Sequence, residues 1–349
     1  MDNPAMILEA YDIKVNNVGI RKYGSGHIHA TFLVNAGTER YILQAYNERV
    51  FKFPARISGN LDILSEHLVQ KELPFALPLP LKNRDGNFFT GRDHQLFRLY
   101  PFVEGVTKDA VELPQEAGLA AEAFGIFIRT FLDAPTEDLE ETIPDFHNLT
   151  FRYQQLQDSL HATKIPIDTE LQALIVFYTN QTGLLDQYRD YKERLPMRVT
   201  HNDTKINNLI FEEDLSKVNA LIDLDTIMPG FIFYDFGDLV RTVACSEDES
   251  SQNWDRIQVD LEKYRGLITG FCNPLKPTVS DEELLSLPFG GEMMTYIMGL
   301  RFLTDYLNGN IYYHINYPQQ NLHRAKNQFY LLSSLQENRS RIEKMMRDN

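Results

Sequence analysis

The 349-residue sequence predicts an α+β protein: a β-rich lobe over residues 1–100, a short connection at 101–105 and a mostly helical lobe over 106–349. Three observations carry that prediction. Two pairs of β-prone runs flank a single helical segment in the first hundred residues. The composition then turns helical after Pro101-Phe102-Val103-Glu104-Gly105. A brief return to β-prone runs, Met197 to Thr226, interrupts the helices.

Taken in order, Ala30 to Val34 and Arg40 to Ala45 are β-prone and separated by Asn35-Ala36-Gly37, a hairpin signal. Pro54 to Gln70 has helical spacing, with Ile57, Leu61, Leu64 and Leu68 on one face. Asn87 to Thr90 and Gln95 to Tyr100 form the second pair, across Gly91-Arg92-Asp93. Helices are predicted over Pro114 to Leu132, Asn148 to Ala162 and Thr169 to Tyr188, and again from about Asp235 to the end. The length suits two unequal lobes, and 43% hydrophobic residues support a sizeable core.

Charge and cysteine usage narrow the function. The net charge is −15, and no Lys/Arg cluster marks a nucleic-acid face, so DNA and RNA are not expected as partners. A nucleotide remains compatible with that acidity, because bound Mg²⁺ bridges carboxylates to phosphates. No apolar run reaches the ~18 residues of a membrane span. Met1 to Ala10, with Asp2 and Glu9, does not read as a secretory signal. Cys245 and Cys272 lack metal-ligand or disulfide spacing and read as structural thiols, which points to the cytoplasm.

The chemistry concentrates in Thr200-His201-Asn202-Asp203-Thr204-Lys205-Ile206-Asn207-Asn208, followed by Leu221-Ile222-Asp223-Leu224-Asp225. Phosphoryl transfer asks a protein mainly for positioning and charge neutralisation. It needs a carboxylate to orient an acceptor hydroxyl and take its proton, and oxygen ligands for Mg²⁺. Asp203 fits the first requirement, and Asn208 with Asp223 fits the second. A turn from Glu212 to Lys217 joins the two segments as a hairpin. Lys205 is a candidate for stabilising the transferring phosphoryl group. Asp225, on the same strand face as Asp223, reads as a further metal ligand or as an outer acceptor. Asp203 and Asn208 could also simply cap turns. Asp235 and Asp238 read as helix caps that brace the loop, and His201 as a structural residue.

With these residues in place, the chain resembles the aminoglycoside phosphotransferase and choline kinase superfamily, relatives of the bilobal protein-kinase fold. Within it the chain is most similar to the N-acetylhexosamine 1-kinase branch, through Tyr23-Gly24-Ser25-Gly26-His27-Ile28, Tyr41-Ile42-Leu43-Gln44, Val50-Phe51-Lys52-Phe53-Pro54, Ile222 to Gly230 and Leu300 to Leu332. The resemblance implies an ATP-dependent sugar 1-kinase with Asp203 as catalytic base and Asn208 and Asp223 on Mg²⁺. It implies Gly24, Ser25 and Gly26 as a loop over the phosphates, with Gln44 and Val103 beside the nucleotide. Arg301 and Tyr312 lie in the segment resembling the branch's sugar-binding region, and His27 is a candidate sugar or phosphate contact. Alternation puts His27 and His29 on one strand face, where they could equally be a simple surface pair.

One departure stands out. Many kinases carry a lysine in the strand after the glycine loop, where this chain has Gln44. Lys205, Mg²⁺ and Lys52 are the alternatives for gripping the α- and β-phosphates. Glu66, the usual place of the lysine's partner, reads as part of a solvated helix face. The missing lysine keeps a nucleotide-binding pseudokinase open as an alternative, beside kinases of another sugar, a choline-like amino alcohol or an aminoglycoside.

Overall fold

A computed structural model describes residues 4–14, 18–24 and 29–349. In chain order its strands and helices begin with β1 (Val18–Lys22), β2 (Ala30–Ala36), β3 (Glu39–Ala45), α1 (Pro54–Leu68), β4 (Thr90–Arg92) and β5 (Gln95–Pro101). Then come α2 (Pro114–Thr130), α3 (Leu149–Ala162), α4 (Thr169–Thr179), α5 (Thr182–Arg194), β6 (Arg198–Thr200), β7 (Leu209–Phe211), β8 (Val218–Leu221) and β9 (Met228–Gly230). The chain finishes in helices: α6 (Ile232–Val243), α7 (Leu261–Leu275), α8 (Asp281–Leu285), α9 (Leu287–Leu307), α10 (Gln320–Glu337) and α11 (Arg339–Asp348). The α+β class stands, with a sheet in the N-terminal region and helices in the C-terminal part.

The chain divides into two compact units. The first comprises Met1–Thr107, Asp133–Pro144 and Leu209–Met228, so it takes in the β7–β8 hairpin as well as the N-terminal residues. Its antiparallel sheet has the order β1-β2-β3-β5-β4. β1 is a strand that the sequence reading passed over, because Val-Gly-Ile-Arg-Lys is short and largely exposed. Side chains alternate across the sheet. Val34, Leu43, Ala45, Phe97 and Leu99 bury one face against Ile7 and Leu8. The opposite face carries Gln44, whose register partners are Thr31 on β2 and Arg98 on β5.

Within this unit α1 is fixed by more than its apolar face of Ile57, Leu61 and Leu64. Its buried Asn60 donates from Nδ2 to the carbonyls of Glu140 and Ile227, both at 2.8 Å. The hairpin pairs Leu209 with Leu221 and Ile210 with Ala220. It is sewn in by reciprocal bonds between Val106 and Phe211, 2.9 and 2.8 Å, and by the Ala76 amide on the Asn219 carbonyl, 2.8 Å.

The second unit, Lys108–Leu132, Asp145–Asn208 and Pro229–Asn349, is helical. The long helix predicted over Thr169 to Tyr188 is instead α4 and α5. The break falls at Asn180-Gln181, a polar pair followed by Thr182-Gly183 that supports neither a continuous apolar face nor good propensity. α6 is buried continuously from Ile232 to Arg241. Glycines allow its closest neighbour to approach: a Cβ on Gly237 would overlap the Gly290 carbonyl of α9, and one on Gly290 would overlap the Phe233 carbonyl. α2 and α7 meet in the same way at Gly118, Gly266 and Gly270. Both cysteines are free thiols. Among the described residues no helix is long and apolar enough to cross a membrane.

Gly237→Ala should therefore lower stability by about 2–3 kcal/mol, the scale of overpacking in a close-packed interior. Gly59→Ala on α1, where a Cβ meets nothing within 4 Å, should be neutral or stabilising by up to about 1 kcal/mol. Thermal and denaturant melts of both variants check this, and equal melting points would remove the close-approach argument.

Candidate active site

The catalytic segment begins where β6 ends. Thr200, His201, Asn202 and Thr204 are all buried, so the peptide N–H groups of this loop must find partners inside the protein. Helix α6 supplies them. The Asp235 carboxylate accepts from the His201 N–H at 2.8 Å and the Asn202 N–H at 2.7 Å. Asp238 accepts from the Thr204 N–H at 3.1 Å, and the Thr204 hydroxyl donates to the Asp235 carbonyl at 2.7 Å. The sequence reading of Asp235 and Asp238 as caps of the following helix is corrected in part. They sit inside α6 rather than before it, and what they hold is the catalytic loop. Burial pushes Asp235 up to about 7, with the two N–H bonds opposing and the charges of Asp238 and Asp203 adding. Asp238 is itself gripped by Arg241 at 2.8 Å, and Arg241 also pairs with Glu249.

Asn202 has φ of +63°, a left-handed conformation that Asn tolerates better than most residues. Asp203 follows it and is partly buried. Its carboxylate contacts the Lys205 ammonium at 2.8 Å and accepts from the Asn208 amide at 3.1 Å. Burial works to raise the Asp203 carboxyl, but the Lys205 charge, the His201 ring and the Asn208 amide outweigh it, and it lies below its usual range. The Asp203 charge in turn holds Lys205 above its usual range against burial. Three of the predicted residues, Asp203, Lys205 and Asn208, therefore form one cluster. His201 is buried, edge-on to Phe124 at 5.4 Å and Phe127 at 6.1 Å, a packing position.

Asn208 spends its amide N–H₂ on Asp203, including a 2.7 Å bond to the backbone carbonyl. Its amide oxygen is of the donor type that a hard cation takes. Among the described residues no three His, Cys, Asp or Glu side chains converge as a metal cage. Mg²⁺ fits such a sparse donor set, because it is commonly held by one or two protein oxygens plus phosphates and water. Asp223 lies two residues beyond β8 with φ of +62°, again left-handed.

Asp225 is a different case. The expectation of a further metal ligand is corrected, because both its oxygens are committed. Arg98 bonds to Oδ1 from Nη1 and to Oδ2 from Nη2, the latter at 2.9 Å, and His29 donates to Oδ2 at 3.0 Å. Burial works to raise the Asp225 carboxyl, but Arg98 and His29 hold it far below the usual carboxylate range. Gln44, expected beside the nucleotide, accepts from Arg98 Nη2 at 3.0 Å. His29 is buried rather than a surface residue. Val103 is half-buried in the extended stretch after β5, and Lys52 and Glu66 are exposed. Gly24 takes φ of +73°, as a turn glycine does. Ser25, Gly26 and His27 lie outside the described residues.

In the helical unit, the guanidinium of Arg301 on α9 lies over three rings: Phe146 at 5.0 Å, Tyr313 at 5.6 Å and Tyr312 at 5.8 Å. Arg152 on α3 joins it, donating to the Phe146 carbonyl at 3.3 Å and to Gln155 at 2.9 Å. Among the described residues neither arginine forms an ion pair. Burial, and then the charge of Arg301, pull Arg152 down to about 10. The Tyr312-Tyr313 segment is pinned by the buried Asp305, which accepts from the N–H groups of Ile311, Tyr312 and Tyr313 at 2.9, 2.9 and 3.0 Å and from Asn321 at 2.8 Å. Between the arginines and the catalytic loop stands His147, bonded through Nε2 to the Asn202 carbonyl at 3.0 Å. Arg152 and His147 gave no sequence signal. Arg98 did, as a lone charge in the apolar run Leu96-Phe97-Arg98-Leu99-Tyr100.

Comparison with known proteins identifies the family and the fold. The model of the phosphotransferase enzyme family matches residues 19–267. A microcompartment-associated aminopropanol kinase shares the fold at a TM-score of 0.68, with 17% identity over 97% of each chain. An aminoglycoside phosphotransferase from Alicyclobacillus acidocaldarius aligns at 0.65, with 15% identity over 98% of this chain and 97% of that one. A choline kinase from Cryptosporidium parvum aligns at 0.59, with 14% identity over 97% of this chain and 96% of that one.

His147 makes the site sensitive to acid. Burial lowers it to about 4, with Arg301 adding and the Asn202 carbonyl opposing. The unfolded chain protonates this histidine near its ordinary value of about 6.5, so between that pH and about 4 the unfolded state binds more protons. Stability should therefore fall as pH drops through that window, by up to about 3 kcal/mol from this residue. Denaturant melts at pH 7.5 and pH 4.5 should show a smaller loss for His147→Gln. An unchanged loss would mean that His147 titrates normally in the folded protein.

Proposed function

This chain belongs to the phosphotransferase enzyme family, and we propose that it transfers the γ-phosphoryl group of ATP to the anomeric hydroxyl of an N-acetylhexosamine, giving the sugar 1-phosphate and ADP. Asp203 accepts a hydrogen bond from the acceptor hydroxyl and takes its proton as the new O–P bond forms and the bond to ADP breaks. The Asn208 amide keeps that carboxylate in place, and the acceptor hydroxyl displaces Lys205 from it. Lys205 then serves the transferring group as a cation. Mg²⁺, held by Asn208 and Asp223, would neutralise the phosphates. In sequence, Asn208 directly precedes β7 and Asp223 follows β8 by two residues.

The observation that carries the acceptor assignment is the Arg152–Arg301 pair, set on aromatic rings and joined through His147 to the residue before Asp203. Two neighbouring guanidinium cations repel an ammonium group. Asp305, on the same helix as Arg301, is already taken by four donors. Kinases named for aminopropanol, choline and aminoglycosides act on cationic acceptors, and this arrangement disfavours them. A neutral sugar fits better. Its ring faces pack on Tyr312 and Phe146, and its N-acyl oxygen and hydroxyls accept from guanidinium N–H groups. Tyr312 is 60% exposed, so it is open to a ligand.

A coupled ADP-release screen over free hexosamines, choline, ethanolamine and aminoglycosides tests this directly. Turnover is expected with N-acetylglucosamine or N-acetylgalactosamine. Asp203→Asn should cut kcat by about 10³-fold with nucleotide affinity nearly unchanged. Arg301→Ala should raise the sugar KM at least about tenfold, the loss of roughly one charged hydrogen bond. Activity confined to cationic acceptors would overturn the sugar assignment. Nucleotide binding without any turnover would favour the pseudokinase reading.

A further inference from the structure

The proposed reaction leaves open how this chain replaces the strand lysine that Gln44 has displaced. The answer lies on the neighbouring strand. Arg98 of β5 is the register partner of Gln44 on β3, so the two side chains stand side by side on one face of the sheet. Arg98 is 1% exposed and enclosed on several sides. Tyr46 lies 5.0 Å from its guanidinium, and Phe89 and Tyr100 lie 5.4 Å away. Nη1 and Nη2 both bond Asp225, and Nη2 also bonds Gln44. His29 closes the assembly. Its Nδ1 accepts the Asn47 N–H at 3.0 Å, which fixes the proton on Nε2, and Nε2 donates to Asp225. The ring is stacked on Tyr46 at 5.2 Å and Phe51 at 5.6 Å.

We infer that Arg98, held by Gln44 and paired with Asp225, takes the place of the strand lysine and its acidic partner, and acts as a positioning residue for Asp223. This rests on the reading of Asp223 as a magnesium ligand. The usual cation and carboxylate pair ties a strand to a helix. Here the cation has moved one strand across, and its partner lies two residues after the metal-binding position. With both oxygens fixed, Asp225 fixes the path of the backbone through Asp223, whose left-handed conformation leaves it dependent on its neighbours for placement. Gln44 no longer needs to reach phosphate. It orients the planar guanidinium, a task suited to an amide oxygen. Glu66, the lysine's usual partner, is free to be an exposed helix residue.

Calorimetric titration of the full-length protein with Mg²⁺-ATP, without any acceptor, tests the inference. Arg98→Met alone strands a buried carboxylate, so it is paired with Asp225→Asn to remove both charges and preserve folding. The double variant should melt near the wild type yet bind Mg²⁺-ATP at least tenfold more weakly. Arg98→Met combined with Gln44→Lys puts a cation back on β3, and should return affinity to within about threefold of the wild type. A folded charge-free variant that binds Mg²⁺-ATP normally would overturn the inference, as would a folded Gln44→Lys combination that restores nothing. Failure of the wild type to bind Mg²⁺-ATP would instead sink the kinase reading itself, so the two failures are distinguishable.

Discussion

The catalytic loop cannot satisfy its own peptide groups, and everything at this site follows from how that debt is met. Residues 200–204 run through the interior, where a stranded N–H costs about 1–3 kcal/mol. Two carboxylates on α6 take up three of these donors. Bonds to a charged acceptor are stronger and shorter than bonds between neutral groups, so the loop is held more firmly than a turn would hold itself. The helix can do this because it cannot move. It is buried along nearly its whole length, and its backbone touches α9 at Gly237 and Gly290. A dependence thus runs from two glycines to a helix, from the helix to Asp235, from Asp235 to the loop, and from the loop to Asp203.

The β-rich unit meets a comparable problem with a different device. Asp225 is buried as completely as Asp235, but its partners are a guanidinium and an imidazole rather than peptide groups. A buried ion pair contributes little net stability, because desolvation consumes most of the Coulombic gain. Its consequence is geometric: a planar fork on both carboxylate oxygens leaves that side chain one orientation. Asp235 holds backbone through a side chain, and Arg98 holds a side chain whose own backbone continues from Asp223. Two carboxylates of the same type, close in sequence to the catalytic residues, thus stabilise different things.

What the sequence made legible was the local part of this. The Asp203, Lys205 and Asn208 cluster was readable because all three lie within six residues, and loop spacing alone brings them together. The first strand pair and most helices were readable from periodicity and Gly or Asn turns, whereas the second pair was placed too early: its first strand is Thr90–Arg92 and its turn Asp93-His94. Long-range partners were not. Nothing in the sequence couples Arg98 to Asp225 or Asp235 to the His201 amide, since such pairs depend on how strands and helices pack. For Asp225 the metal and the outer-acceptor readings therefore both stood, and a surface place for His29 stood as one of two readings. A single charge inside an apolar strand was the one available sign that Arg98 had a buried partner.

The same division between local and long-range information governs the acceptor. At 14–17% identity the solved structures share a fold with this chain, and the fold is indifferent to what is phosphorylated. The chemistry of phosphoryl transfer is indifferent too, since an amino alcohol, an aminoglycoside and a sugar all offer a hydroxyl. What differs is the charge that the rest of the acceptor brings with it. Like charges a few ångströms apart in a partly buried site cost on the order of a few kcal/mol, the scale on which the proposed site would discriminate between acceptors. Arg152 already feels this cost from Arg301, which helps to pull its guanidinium down to about 10. On the proposed reading, a cationic acceptor adds a third positive charge beside this pair. A neutral, oxygen-rich acceptor, as proposed, brings no such charge, and its hydroxyl and acyl oxygens can accept from guanidinium N–H groups.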